Sequence, residues 1–250
     1  MNPRGQESVN DLSTAAGRLK TASGLLVLTG AGVSAESGVP TFRGPEGLWQ
    51  QHRPEDLATP EAFERDPKLV WEWYAWRRER VAPLSPNPAH GALATLEGRT
   101  ASFLLVTQNV DGLHALAGSR KLVELHGNLW RVRCTECSLV VEDHRVPLPE
   151  LPPRCGCGAL QRPDIVWFGE PLAETAVSMA FAAAHAADVV LVVGTSSVVY
   201  PAAALPQIAR GAGAFVIEVN PEETPLTHSA HVSLRGKAAE LVPALVGAAA

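Results

Sequence analysis

The sequence is most informative at Gly30-Ala31-Gly32-Val33-Ser34-Ala35-Glu36-Ser37-Gly38-Val39-Pro40-Thr41-Phe42-Arg43-Gly44, which follows an apolar run from Leu25 to Thr29. An apolar strand that breaks into Gly-x-Gly and then into a helix start is typical of a phosphate cradle, because glycine lets the backbone turn sharply beside a pyrophosphate. Gly-x-Gly alone is weak evidence for nucleotide binding, because any tight strand-to-helix turn can use it. The loop that follows, Thr41 to Gly44, is more specific evidence. Its aromatic ring and guanidinium, Phe42 and Arg43, suit a loop that covers a nucleotide.

Further apolar runs along the chain predict the rest of the sheet. Strand-like runs occupy residues 102–107, 189–193, 214–219 and, more briefly, 232–234. Helical patterns occupy residues 172–185 and 202–210, and a terminal helix begins at Lys237. Short apolar runs that end near Gly, Asn or Thr and alternate with helices indicate an α/β fold with a doubly wound parallel sheet.

Composition limits the class of protein. The chain has 250 residues, of which 46% are hydrophobic, so it can form one large domain or one domain with an inserted lobe. A net charge of -5 argues against broad nucleic-acid binding. No apolar run approaches the roughly 18–20 residues of a membrane span, and the first residues lack a signal-peptide core. We therefore expect a cytoplasmic protein that binds neither nucleic acid nor membrane.

Two regions interrupt the α/β pattern. Residues 45–90 are rich in charge and tryptophan and contain a helical run, Pro67 to Val81, whereas residues 127–163 contain every cysteine and a proline-rich stretch. We interpret them as two insertions that pack together into a smaller domain. The large domain then comprises residues 1–44, 91–126 and 164–250.

The cysteines form two close pairs, Cys134 with Cys137 and Cys155 with Cys157. Two such pairs predict one structural zinc ion held by four thiolates, which leaves no open position for a hydrolytic water. Two disulfides or free thiols are the alternatives, and a cytosolic location disfavours both.

Polar residues follow three of the predicted strands. Gln108, Asn109 and Asp111 can bond a ribose or a carboxamide, although Asn109 and Asp111 could instead cap the next helix. Thr195 and neighbouring residues can reach phosphates, although a simple turn would look the same. Asn220 can bond an adenosine ribose.

Four stretches resemble the motifs of the sirtuin family, the NAD-dependent protein lysine deacylases, and they occur in the family's order. They are residues 30–44, Thr107 to His114, Glu124 to Gly127 and Val166 to Glu170, within a resemblance that covers about residues 24–237. The resemblance implies a Rossmann-like domain, a smaller lobe with a helical and a zinc module, NAD as co-substrate and acylated-lysine proteins as partners. The Cys-x-Cys pair is one residue shorter than the family's usual pair, which puts tight metal binding in question.

The resemblance also implies residue roles. His126 matches the general base, and its ordinary pKa near 6.5 suits proton removal near neutral pH; Asn109 and Asp111 line the nicotinamide-ribose pocket. We interpret His114 as a helix-surface or packing residue. The implied NAD contacts are Gly30, Ala31, Gly32, Ala35, Glu36, Thr41, Phe42, Arg43, Gln108, Asn109, Asp111, Gly194, Thr195, Ser196, Asn220, Lys237 and Ala238. The implied peptide contacts, in a segment that could also be a buried strand, are Val166, Trp167, Phe168, Gly169 and Glu170.

Tyr74 and Arg77 lie three residues apart in the predicted helix, so a phenol and a guanidinium share one face. Such a pair suits a carboxylate and resembles the Tyr-x-x-Arg pair of the sirtuin branch that removes succinyl and malonyl groups. The alternative is a solvated basic helix face with Tyr74 in the core. Two other functions stay open: mono-ADP-ribosyl transfer and a catalytically silent NAD sensor.

Overall fold

A computed structural model describes residues 3–41 and 53–250, so the predicted NAD contacts Phe42 and Arg43 lie outside the described residues. The strands are β1 (Gly24–Thr29), β2 (Ser102–Thr107), β3 (Leu122–Glu124), β4 (Gly127–Cys134), β5 (Val140–Glu142), β6 (Gln161–Ile165), β7 (Val189–Val193), β8 (Phe215–Asn220) and β9 (Val232–Arg235). The helices are α1 (Pro3–Thr21), α2 (Pro54–Leu57), α3 (Pro60–Arg65), α4 (Pro67–Val81), α5 (Pro88–Arg99), α6 (Leu113–Leu116), α7 (Glu174–Ala186), α8 (Leu205–Gly211) and α9 (Ala238–Ala248).

The main sheet is parallel and has the order β3-β2-β1-β7-β8-β9. Its alternating side chains fill two cores. Leu25 and Val27 pack with α1, α5 and α9 on one face, whereas Leu26 and Leu28 pack with α7 and α8 on the other. Because helices cover both faces, the predicted doubly wound sheet is confirmed. Its order matches the Rossmann arrangement, in which ligands bind where the chain reverses direction across the sheet, here between β1 and β7.

The smaller lobe consists of α2–α4 and an antiparallel sheet with the order β5-β4-β6. Its helical and cysteine-bearing parts share one core, in which Trp71 of α4 packs with Leu129 and Val132 of β4. The Trp71 Nε1–H also donates to the Gln161 carbonyl at 2.7 Å. The predicted lobe of two insertions is therefore confirmed, while its boundaries at residues 44, 90, 126 and 163 stay a prediction.

Two long helices were not predicted. α1 packs Leu12, Ala15, Ala16 and Leu19 against the core, but most of its other residues are polar, so its apolar stripe is narrow. α5 follows Asn87, whose side chain caps the helix ahead of Pro88. In the part of the chain that the structure describes, no helix has both the length and the apolar character that crossing a membrane requires.

The turns after β1 and β7 contact each other backbone against backbone. The Gly32 N–H donates to the Gly194 carbonyl at 2.8 Å, and Gly194 has a φ of 60°. A Cβ on Gly194 would lie 2.4 Å from the Val33 nitrogen, and one on Gly32 would lie 2.8 Å from the Gly194 Cα. The expected helix start after Gly-x-Gly consists of two 3-10 turns, Ala31–Val33 and Ala35–Ser37. The packing of the two turns therefore requires glycine at residues 32 and 194, whether or not a nucleotide is bound.

We predict that Gly194→Ala lowers the free energy of unfolding by about 2–5 kcal/mol, which combines left-handed backbone strain of about 1–2 kcal/mol with overpacking of about 1–3 kcal/mol. Gly213→Ala is the matched control, because Gly213 also has a positive φ, of 101°, but has no atom within 4 Å of a new Cβ. Urea unfolding measures both variants. Equal losses would show that contact between the turns adds nothing to stability.

Candidate active site

A cavity of about 1040 Å³ opens at the carboxyl ends of β1, β2, β7 and β8, beneath the smaller lobe. It brings together most of the residues that the sequence singled out. The predicted residues that line it are Gly30, Ala31, Gly32, Ala35, Glu36, Thr41, Tyr74, Arg77, Gln108, Asn109, His126, Val166, Trp167, Phe168, Gly169, Glu170, Gly194, Thr195, Ser196 and Asn220.

Side-chain amides tie the turns of the cavity floor together. Gln108 Nε2 donates to the Thr195 hydroxyl at 2.9 Å, and Asn220 Nδ2 donates to the Thr195 carbonyl at 3.3 Å. The turn after β7 is therefore held from β2 on one side and from β8 on the other. The polar floor of the cavity therefore consists of Gln108, Thr195 and Asn220, which are linked by these hydrogen bonds.

His126 follows β3 and presents one ring nitrogen to the backbone. Its Nδ1 lies 3.0 Å from the Gln108 carbonyl. A carbonyl can only accept, so Nδ1 carries the proton of the neutral ring and Nε2 keeps its lone pair. Burial lowers the pKa of His126, although the bond to Gln108 opposes the shift. The ring is therefore neutral at neutral pH and can accept a proton at Nε2.

Asn109 and Asp111 have different surroundings. Asn109 lines the cavity, and its Nδ2 donates to the Ser34 hydroxyl at 3.1 Å. Asp111 does not line the cavity; its Oδ1 accepts from the Leu113 N–H at 2.9 Å, at the start of α6. Burial raises the pKa of Asp111, and the hydrogen bond from the Leu113 N–H lowers it by a smaller amount. Asp111 therefore holds the first N–H of α6 from a position one residue before the N-cap, Gly112, and its predicted role in the nicotinamide-ribose pocket stays a prediction.

Two buried histidines lie beneath the cavity floor, and the sequence had not singled out His90. His114 Nε2 lies 2.9 Å from the Thr29 hydroxyl, and His90 Nε2 lies 3.3 Å from the Ser34 hydroxyl that holds Asn109. Burial lowers the pKa of His114 to about 3 and that of His90 to about 4, so both rings are neutral. Of the two interpretations of His114, the helix surface is wrong and the packing residue agrees with the structure, because this residue is 2% exposed. Its position next to the Asn-Val-Asp motif was the available signal.

Tyr74 and Arg77 meet in the wall of the cavity, on the face of α4 that points into it. Trp167 Nε1 donates to the Tyr74 hydroxyl at 2.9 Å, which leaves the phenol proton as a donor. Arg77 is only 6% exposed, and its guanidinium carbon lies 5.0 Å from the Trp73 ring. Burial lowers the pKa of Arg77, but an arginine pKa lies so far above neutral that the charge remains. The alternative of a solvated basic face is therefore wrong for Arg77.

The segment Val166 to Glu170 leads from the end of β6 into a turn at Phe168 and Gly169, so the buried-strand alternative is wrong. Its contact with a substrate peptide stays a prediction. Glu170 causes the bend: its carboxylate accepts from both terminal nitrogens of Arg162, at 2.5 and 2.8 Å, and from the Trp167 N–H at 2.8 Å. The Val166 N–H donates to His126 and the Phe168 N–H donates to Ala58. The N–H groups of Val166, Trp167 and Phe168 are therefore already bonded within the protein, so a substrate peptide that pairs with this segment must bond other backbone groups.

Besides Asp111, two other predicted NAD contacts do not line the cavity. Ala238 packs in the core beside α1 and α5, and Lys237 is exposed at the start of α9. Glu36, which does line the cavity, accepts from the neighbouring Ala239 N–H at 3.0 Å. Contact of Lys237 and Ala238 with NAD stays a prediction.

The four cysteines converge in the smaller lobe. The Sγ atoms of Cys134, Cys137, Cys155 and Cys157 all lie within 4.8 Å of one another, and the two closest pairs are 3.5 and 3.7 Å apart. Zinc–sulfur bonds of about 2.3 Å put tetrahedral thiolates about 3.8 Å apart, so the cluster suits a structural zinc. The Cys155–Gly158 turn, with a φ of 92° at Gly158, lets the shorter pair reach the same point.

We predict about one zinc per chain, and a fall well below one in Cys157→Ser, because that variant loses one thiolate ligand. Metal analysis of purified protein measures the content. Chelation should reduce ordered structure in circular dichroism, and added zinc should restore it. Fully folded protein without zinc would contradict the prediction.

Comparison with known proteins agrees with this geometry. The model of the Sir2 family matches residues 30–201. An NAD-dependent protein deacylase of Aquifex aeolicus is 57% identical over 215 residues, covering 86% of this chain and 90% of that protein. A solved Sir2 homologue in complex with NAD is 50% identical with a TM-score of 0.89, covering 94% of this chain and 93% of that one.

A second solved structure is relevant to the substrate. Sir2Af2 bound to a myristoylated histone peptide is 34% identical with a TM-score of 0.78, and the match covers 96% of this chain and 97% of that one. The family match spans most of the chain, and the sequence and structural similarities extend over nearly all of it. The chain therefore belongs to the Sir2 family of NAD-dependent protein deacylases.

Proposed function

We propose that this deacylase acts in the cytoplasm and removes succinyl and malonyl groups, as well as acetyl groups, from protein lysines. The observation that carries the proposal is the buried pair Tyr74 and Arg77 in the wall of the cavity that also contains His126. A buried guanidinium beside a phenol donor is suited to a carboxylate, which acetyl-lysine lacks and succinyl-lysine has.

The polar floor supports the predicted position of NAD. A cavity of about 1040 Å³ has room for a dinucleotide together with an acyl-lysine. In the proposal, Gly30 to Glu36 and Gly194 to Ser196 face the phosphates, Asn220 bonds the adenosine ribose, and Gln108 and Asn109 bond the nicotinamide ribose. When bound, NAD supplies a ribose carbon that becomes electrophilic as nicotinamide departs.

His126 provides the base in this proposal. Its Nε2 has an available lone pair and its ring is neutral, so it removes a ribose hydroxyl proton after the acyl oxygen has attacked the ribose. That sugar oxygen then takes over the acyl group. Because the original acyl oxygen stays on the ribose carbon, one water adds to the acyl carbon as the lysine amine leaves, so NAD, acyl-lysine and water give free lysine, nicotinamide and O-acyl-ADP-ribose.

Tyr74 and Arg77 act on the distal end of the acyl group. The guanidinium gives a charge-assisted contact with the carboxylate, and the phenol proton adds a second donor. Trp167 holds the Tyr74 hydroxyl in the required orientation. Apolar residues of the same cavity, including Phe168 and Val198, suit a longer acyl chain of the kind bound by Sir2Af2. The substrate comparison below therefore includes a myristoyl-lysine peptide.

We expect His126→Ala to lower deacylation about 10²–10⁴-fold, because a general base contributes about that much to rate. Affinity for ADP-ribose should change less than threefold. His185→Ala is the control, since His185 is exposed on α7. Near-normal turnover in folded His126→Ala would remove this residue from the mechanism.

The pH dependence provides a separate prediction. His126 must be neutral to act, and burial lowers its pKa below 6.5. The value of kcat/KM should therefore be constant near neutral pH and fall on acidification, with its half-point below pH 6.5. A half-point above that value would mean that a different group controls the acid limb.

We expect kcat/KM to be higher for succinyl-lysine than for acetyl-lysine or myristoyl-lysine peptides. Loss of a charge-assisted hydrogen bond costs about 1.5–3 kcal/mol, so Arg77→Met should lower succinyl activity roughly 10- to 100-fold and spare acetyl activity. Arg80→Met removes the same charge from an exposed site on the same helix and should change neither.

Each contrary outcome of the peptide comparison has a definite meaning. An equal loss on both substrates in Arg77→Met would assign Arg77 to holding α4 in place. A preference for the myristoyl peptide would replace carboxylate recognition by apolar recognition. A gain of ADP-ribose on the peptide would indicate transferase chemistry, and no NAD-dependent change would indicate a sensor.

A further inference from the structure

Glu218 is a buried carboxylate on β8 for which the catalytic proposal gives no role. It is 1% exposed and precedes Asn220 by two residues. A carboxylate is seldom fully buried unless other groups neutralise or hydrogen-bond it. Its partners therefore show what the residue does.

Four side chains surround the Glu218 carboxylate. Oε1 accepts a short hydrogen bond from the Thr224 hydroxyl, while Oε2 accepts from the hydroxyls of Thr227 at 2.8 Å and Ser233 at 2.6 Å. The Arg235 guanidinium lies 3.5 Å from Oε2. Two of these partners belong to the loop between β8 and β9, and the other two belong to β9.

The hydroxyls of Thr224 and Thr227, which bond Glu218, also bond the backbone of the loop. The Thr224 hydroxyl accepts from the Leu226 N–H at 3.1 Å, and the Thr227 hydroxyl accepts from the Thr224 N–H at 2.9 Å. Arg235 donates to the Thr227 hydroxyl at 2.7 Å and to the Glu222 carbonyl at 2.6 Å. The carboxylate therefore fixes the course of the loop from residue 222 to residue 227.

The opposite side of this loop is part of the cavity wall. Residues 220–225 line the cavity, beginning with Asn220, whereas Glu218 and Thr227 do not. The Glu218 carboxylate lies behind this wall. It can influence a bound nucleotide only through the position of the loop.

We propose that Glu218 is a positioning residue that holds the loop at 221–227 in the conformation that binds the adenosine half of NAD. The inference rests on the proposed contact between Asn220 and the adenosine ribose. A loop that already has the binding conformation needs no ordering when the nucleotide binds. If only a fraction of the molecules have that conformation, the apparent affinity for the nucleotide falls in proportion to this fraction. The acyl-lysine end of the cavity has walls from other segments and should be unaffected.

The test compares the two substrates in Glu218→Gln. If about one tenth of the loose loops are competent, KM for NAD and Kd for ADP-ribose rise about tenfold. The kcat at saturating NAD, the KM for the acyl peptide and inhibition by nicotinamide should stay within twofold. Calorimetry gives the ADP-ribose affinity, and thermal unfolding verifies that the variant is folded.

A second variant tests the same contact from the loop. Thr227→Val removes a hydroxyl that bonds Glu218 and should raise KM for NAD in the same selective way. Ser229→Ala is the matched control, because its hydroxyl in the same loop bonds the Leu226 carbonyl and does not contact Glu218. It should leave all constants unchanged.

An unchanged KM for NAD in both Glu218→Gln and Thr227→Val would overturn the proposal, as would an equal rise in KM for the peptide. Both results leave the proposed acyl preference intact, because that preference is tested separately, by comparing acyl groups in the wild-type protein and in Arg77→Met. Should Glu218→Gln not fold, Thr227→Val against Ser229→Ala decides the question.

Discussion

The close approach of two glycine turns is the constraint on which the rest of the structure depends. Gly32 and Gly194 contact each other without side chains between them, and a Cβ on either residue would overlap the other turn. The contact lies between β1 and β7, where the sheet order reverses and an α/β sheet opens a crevice. The turns therefore serve both as the floor of the cavity and as the joint between the two halves of the sheet.

The two insertions supply the other walls of the crevice, and they act as one body because they share a core. α4 carries Tyr74 and Arg77 into the cavity, while β6 leads into the turn that carries Trp167, whose indole fixes the Tyr74 hydroxyl. The proposed acyl pocket therefore depends on contact between segments about 90 residues apart in the chain. The cysteine cluster lies in the sheet whose strand β6 leads into this turn, so a structural zinc there would stabilise the proposed acyl pocket without touching the acyl group.

The sequence was sufficient for the features that local pattern controls. The buried strands are continuous apolar runs, and α4 has the predicted bounds because Asp66 caps it ahead of Pro67. Long-range partners were not predictable. The bend at Glu170 requires Arg162, and His114 is buried by its contact with Thr29. The role inferred for Glu218 likewise depends on hydroxyls that only the folded loop brings to it.

In the proposed function, one cavity couples NAD cleavage to removal of a carboxylate-bearing acyl group. The decisive experiment is mass spectrometry of all products from a succinyl-lysine peptide, with and without NAD. Nicotinamide, free-lysine peptide and succinyl-ADP-ribose should form in equal amounts, and only when NAD is present. Loss of succinate without NAD, or nicotinamide release that leaves the peptide succinylated, would show that the cavity does not couple the two reactions.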